Sequence, residues 1–126
     1  MTYPENLRYT KDHEWIRVQG EYGIVGITEY AQGELGDVVF VELPKKGTVV
    51  KQGQSFGTIE AVKAVSDLYA PVSGEVVDLN PELEKHSERV NKEPYGGGWM
   101  IKIKIKDKNE LNSLLDTKNY TAIIGK

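Results

Sequence analysis

Apolar and polar positions along this chain fall into short runs separated by glycine. Residues 15–18, 22–27, 38–43, 74–79 and 99–105 are rich in valine, isoleucine and aromatic residues at strand length, and each predicts a β-strand. In the last run Ile101, Ile103 and Ile105 alternate with Lys102, Lys104 and Lys106. That period of two puts the isoleucines on one face and solvated lysines on the other. Strands at this spacing predict a mainly β sandwich or barrel. Three brief helical patches interrupt it. Thr28 is placed to cap a turn through Glu29-Tyr30-Ala31-Gln32, which Gly33 would end; Asn80 precedes Pro81 at a first helical position; residues 109–115 read as a terminal amphipathic helix.

The stretch Thr58-Ile59-Glu60-Ala61-Val62-Lys63-Ala64-Val65-Ser66-Asp67-Leu68-Tyr69-Ala70-Pro71 carries two periodicities. As a helix, Ala61, Val65 and Leu68 share one face, Glu60 and Lys63 point outward, and Pro71 ends the element. As a hairpin, strands 56–61 and 64–70 are joined by Val62-Lys63, although tight turns prefer Asn-Gly or glycine there. A Gly-x-Val-Val pattern occurs at 47–50 and again at 74–77, which suggests two related strand-rich halves meeting near residues 60–66. In that context the hairpin is the better reading. A lysine at the end of a stiff hairpin suits a group carrier, because the attached group swings while the backbone stays ordered. Poor turn chemistry at such a point is the kind of local violation that function explains.

A chain of 126 residues fits one domain, 1–126, able to bury a core without disulfides or metal. Its 16 basic and 19 acidic residues give a formal charge of −3 and are spread along the length, so no field favours nucleic acid or an anionic membrane. No apolar run is long enough to span a bilayer, and Met1-Thr2-Tyr3-Pro4 does not open like a signal or transit peptide. The expected location is cytoplasmic, or the mitochondrial matrix if a targeting segment has been removed. Cysteine is absent, so sulfur redox chemistry would have to come from a cofactor. His13 and His86 lack metal-spaced partners, and Gly96-Gly97-Gly98 is not followed by Lys-Ser/Thr, which leaves a flexible turn as its reading. Ser66, Ser73 and Ser87 sit in no nucleophile motif. A non-catalytic role is the expectation.

The segment from Ile59 to Val76, with Glu60-Ala61-Val62-Lys63-Ala64 at its centre, resembles the lipoyl-attachment region of the glycine cleavage system H-protein family. His13-Glu14-Trp15, Gly26-Ile27-Thr28-Glu29-Tyr30-Ala31-Gln32, residues 35–44 and residues 94–103 resemble the family's other signatures in the same order. The resemblance runs from about Tyr9 to Ile105. Ala61 departs from the usual serine, and Ser87-Glu88-Arg89-Val90-Asn91 is less typical.

This resemblance implies a barrel-sandwich hybrid core over about 9–105, with a C-terminal helical extension over about 108–126. It also implies lipoic acid joined to Lys63 through an amide, with Glu60, Ala61, Val62 and Ala64 read by the attaching enzyme. Such a carrier accepts an aminomethyl group from glycine decarboxylase, a pyridoxal-phosphate enzyme. It presents the group to a tetrahydrofolate-dependent aminomethyltransferase and is reoxidised by dihydrolipoamide dehydrogenase. A lipoate ligase or a lipoyl/octanoyl transferase would load it. Glu14, Asp67 and Asp12 are the expected residues of a cleft for the cationic cargo. The alternative destination is relay of lipoate to 2-oxoacid dehydrogenase complexes. A biotin carrier is disfavoured, because Ala61-Val62-Lys63-Ala64 stands where Ala-Met-Lys-Met is usual.

Overall fold

A computed structural model describes residues 3–125; Met1, Thr2 and Lys126, the ends of the expected domain, lie outside the described residues. Among the described residues nine strands form two antiparallel sheets. The larger has the order β1-β2-β3-β9-β8-β5 and the smaller β4-β6-β7. In the larger sheet β1 is Arg8–Tyr9, β2 Glu14–Gln19, β3 Tyr22–Ile27, β5 Val49–Val50, β8 Gly74–Leu79 and β9 Ile101–Ile105. In the smaller, β4 is Val38–Glu42, β6 Ser55–Ala61 and β7 Val65–Tyr69. The alternation anticipated in β9 holds: Ile101, Ile103 and Ile105 are buried, while Lys104 is exposed and Lys102 lies over the Tyr22 ring, 4.8 Å from its centroid.

The two Gly-x-Val-Val segments turn out to be partners. Val49 pairs with Glu75 and Val50 with Gly74. The Gly47 N–H donates to Val76 C=O (2.7 Å), and the Val76 N–H donates to Thr48 C=O (2.8 Å). The small sheet packs its inner face, with Val41, Ile59 and Leu68, onto Ile16, Val25, Val76 and Ile103 of the large one. This burial of branched apolar side chains is the main favourable term for such a fold.

The helices differ from their predicted bounds. Helix α1 runs over Glu29–Leu35, capped by Thr28 Oγ1, which accepts from the Ala31 N–H. It passes through exposed Gly33 and stops at Gly36, whose φ of 82° and ψ of −160° leave helical space. Asn80 caps a single 3-10 turn at Pro81–Glu84 through its side chain, as proline at the first position suggested. Helix α2 is Arg89–Lys92. The expected helix at 109–115 is a 3-10 turn at Lys108–Ser113, and the terminal α-helix, α3, spans Thr117–Ile123. Helix α3 inserts Tyr120 into a second cluster with Leu7, Tyr9 and Trp15. There the Tyr120 ring stacks on Tyr9 at 4.6 Å. The Gly96–Gly98 run is not a loose turn: Gly98 is buried, and a Cβ on it would come within 2.7 Å of Arg89 O.

Candidate functional site

Strands β6 and β7 form the hairpin rather than the helix, with Glu60 opposite Val65 and Ile59 opposite Ser66. The reversal is Val62-Lys63, closed by the Ala61 N–H donating to Ala64 C=O at 2.9 Å. Two-residue hairpin turns of the favoured types need positive φ at their first central residue. Among the described residues His13 is the sole non-glycine with positive φ, so this turn is neither type. It is held from outside instead. The Val62 N–H donates to Asp37 C=O (3.0 Å) and the Lys63 N–H to Leu35 C=O (3.1 Å). The connection between α1 and β4 thus supplies the bonds that the turn cannot make within itself.

The side chain of Lys63 is exposed. Its stem runs beside Gly36, where a Cβ would lie 3.3 Å from Lys63 Cγ. Glu60, Val62 and Ala64 are also exposed, with Val62 at 73%. Ala61 is different: it is buried, with its side chain in the core cluster. The lysine has what attachment of an acyl arm requires, namely an exposed amine on an ordered base.

A cleft of about 300 Å³ opens between the sheets beside this tip, lined in part by Asp12, Glu14, Tyr30, Glu34, Leu35 and Asp67. Leu35 therefore both borders the cleft and accepts the Lys63 N–H. All three carboxylates expected at the cleft border it, but in unlike settings. Asp12 and Asp67 are exposed, and Asp67 Oδ1 accepts from Ser55 Oγ at 3.3 Å. Glu14 is 1% exposed. Its Oε1 accepts from Thr10 Oγ1 (2.5 Å) and its Oε2 from the Tyr69 N–H (3.2 Å). Burial pushes the Glu14 carboxyl up to about 7, against the lowering effect of those two hydrogen bonds. Near neutrality it is divided between acid and carboxylate, whereas Asp12 and Asp67 lie at the solvated rim.

Other residues at the cleft were not anticipated. Ending α1 at Gly33 left Glu34 and Leu35 outside any predicted element. In fact Tyr30 and Glu34 are one helical turn apart, and the Glu34 carboxylate raises the Tyr30 phenol above its usual range. The strand period would have found Ser66, which pairs with buried Ile59 and shares its face. His13 Nδ1 lies 2.9 Å from Tyr120 Oη, which in turn lies 2.7 Å from Thr28 Oγ1. Burial lowers the His13 pKa. No grouping of three or more His, Cys, Asp or Glu among the described residues is placed to hold a metal ion.

The sequence profile of the glycine cleavage H-protein family matches residues 7–126. The chain belongs to that family. It is 52% identical over 125 residues to the glycine cleavage system H protein of Bacteroides fragilis, and 53% identical over 125 residues to that of Staphylococcus carnosus. Each alignment covers 99% of both sequences. A crystal structure of a glycine cleavage system H protein from Mycobacterium marinum superposes with a TM-score of 0.89 at 36% identity, covering 98% of this chain and 100% of that one. The barrel-sandwich hybrid fold follows. Members of the family are the lipoyl carriers of the glycine cleavage system: they hold lipoic acid covalently on a lysine and are carrier subunits rather than catalysts. Among the described residues no helix is long and apolar enough to cross a membrane.

Proposed function

We propose that Lys63 is the lysine that bears the lipoyl group, and that the neighbouring cleft receives the arm. The observation that carries this is the Val62-Lys63 reversal, an exposed lysine whose own amide is anchored to Leu35. Acylation of the ε-amine removes the lysine charge and leaves an amide on an ordered base. When bound, the lipoyl group supplies a dithiolane that carries an aminomethyl unit and cycles between disulfide and dithiol.

The chain's own contribution is positional. The hairpin presents the arm, and the cleft lowers the exposure of a cargo folded against it. Asp12 and Asp67 offer negative charge to a cationic amine at the rim, while Glu14 lies deeper, on the shared wall of the two sheets. The specific partners are glycine decarboxylase, the tetrahydrofolate-dependent aminomethyltransferase and dihydrolipoamide dehydrogenase, with a lipoate ligase or lipoyl/octanoyl transferase acting on the unmodified chain. The whole chain acts as one carrier domain, since α3 is anchored to the sheet through Tyr120. A cytoplasmic setting fits the bacterial relatives.

Intact-mass analysis after incubation with lipoate ligase, ATP and lipoate tests the assignment. A single lipoyl increment is expected in the wild type and none in Lys63→Arg. An increment that survives that substitution moves the arm to another lysine. Reconstitution with the decarboxylase and aminomethyltransferase then tests the destination, through glycine-dependent ammonia release.

A further inference from the structure

The Val62-Lys63 turn borrows its hydrogen bonds from Leu35 and Asp37, so its geometry is only as good as the placement of those two carbonyls. They flank Gly36, whose carbonyl is taken by the Asn91 side chain: Nδ2 donates to Gly36 O at 2.9 Å. The same Nδ2 donates to Gln32 Oε1 (2.9 Å), and Asn91 Oδ1 accepts from the Val38 N–H (2.9 Å). Ser87 Oγ donates to the Val38 carbonyl at 3.1 Å. Two side chains of the 87–91 segment therefore hold both polar groups of the Val38 backbone, and one of them holds Gly36 as well.

The geometry explains why this matters at the tip. Leu35 closes α1 and Gly36, at φ 82° and ψ −160°, turns the chain out of it, so that the three carbonyls of 35–37 do not share one direction. Gly36 O meets Asn91, while the carbonyls on either side of it, Leu35 and Asp37, meet the Lys63 and Val62 amides. The amide orientation of Asn91 is set by its partners, because only its oxygen can meet the Val38 N–H and only its nitrogen can meet Gly36 O. Within the turn the Ala61–Ala64 bond closes the reversal, but neither Val62 nor Lys63 adopts the positive φ of the favoured two-residue turns.

We infer that Asn91 is a positioning residue for modification of Lys63: by gripping Gly36 and Val38 it sets the carbonyls that orient the lysine turn toward the enzyme that acylates it. The inference rests on Lys63 being the attachment lysine. Asn91 touches neither the amine nor the arm, and acts through the 35–38 backbone. Asn91→Asp keeps the acceptor for Val38 and removes both donors, to Gly36 and to Gln32. Ser87→Ala removes a contact to Val38 alone.

The test combines ligase kinetics with amide hydrogen exchange on the full chain. In the wild type the Val62 and Lys63 amides are expected to be protected despite lying at an exposed tip. In Asn91→Asp they are expected to exchange about tenfold faster, the effect of one or two lost hydrogen bonds, while Ile101 and Ile103 in β9 keep their protection. Lipoate transfer by lipoate ligase should fall about tenfold in kcat/KM in the same variant, and by much less in Ser87→Ala. A merely structural role would loosen β9 and the tip together. Free exchange of the two tip amides in the wild type overturns the inference even if Asn91→Asp folds poorly. Wild-type kinetics with unchanged tip exchange in Asn91→Asp also overturns it. Lys63→Arg run in parallel separates the outcomes: if it still gains the lipoyl group, the attachment assignment fails, while the exchange data still report on the tether.

Discussion

The stem of Lys63 lies along Gly36, so that a Cβ built on the glycine would stand 3.3 Å from Lys63 Cγ, 3.4 Å from Cδ and 3.5 Å from Cε. Two constraints meet at this one position. The backbone there, at φ 82° and ψ −160°, belongs to a region that only glycine occupies without strain, and a side chain would also crowd the lysine. Gly36→Ala is expected to cost about 1–3 kcal/mol of stability and to slow acylation of Lys63. Urea denaturation checks the first part, and the rate of lipoyl incorporation at saturating ligase checks the second. Unchanged stability together with unchanged incorporation would show that the turn tolerates a different path for its tether.

Glu14 links the two sheets, one oxygen held by Thr10 and the other by the Tyr69 amide. Its carboxyl ordinarily titrates near 4.5 but stands at about 7 in the folded chain. Between those values the folded protein keeps a proton that the unfolded chain has released, so this group's contribution to stability is complete below 4.5 and is lost as pH rises to about 7. The full difference is on the order of 3 kcal/mol. Glu14→Gln resembles the protonated form, one oxygen for Tyr69 and an NH2 for Thr10, and should flatten that part of the profile. Unfolding free energies at pH 5 and pH 8 decide the matter. Equal losses in wild type and variant would mean that Glu14 titrates as a solvated group.

The exposed rim carboxylates should act differently. Asp12 and Asp67 border the same cleft but face water, where one charge contributes about 0.2–1 kcal/mol to holding a cation. Asp12→Asn combined with Asp67→Asn is expected to lower the yield of glycine-dependent ammonia release severalfold at low salt, and to do so less as salt screens the field. Lipoylation of Lys63 should be unaffected. A loss that is independent of ionic strength would point to shape rather than charge.

Much of the fold was legible in the chain. The period-two pattern of β9 and the glycine-bounded runs made the sheets legible, because each strand buries one face and alternation leaves its mark directly in the order of residues. Asn80-Pro81 and Thr28 announced their caps for a similar reason: a cap is a bond between residues two or three positions apart. Residues 58–71 showed the limit of such local reading. Their helical and strand periods were comparable, and Gly33 looked like a stop although the helix continues to Leu35.

Sequence by itself determined seven of the nine described strands, without the two-residue β1 and β5, and the singling out of Lys63, whose segment and flanking motifs resemble one family over most of the chain. Tertiary structure alone decided how the turn at Lys63 is held, because the amides of Val62 and Lys63 bond to residues 37 and 35, and the carbonyl between those two is gripped by Asn91. It also decided that Glu14 is buried and shifted while Asp12 and Asp67 stay in water. The physical reason is common to both. Hydrogen bonding and desolvation depend on what lies within a few ångströms in space, and at this site those neighbours are brought in from distant parts of the chain.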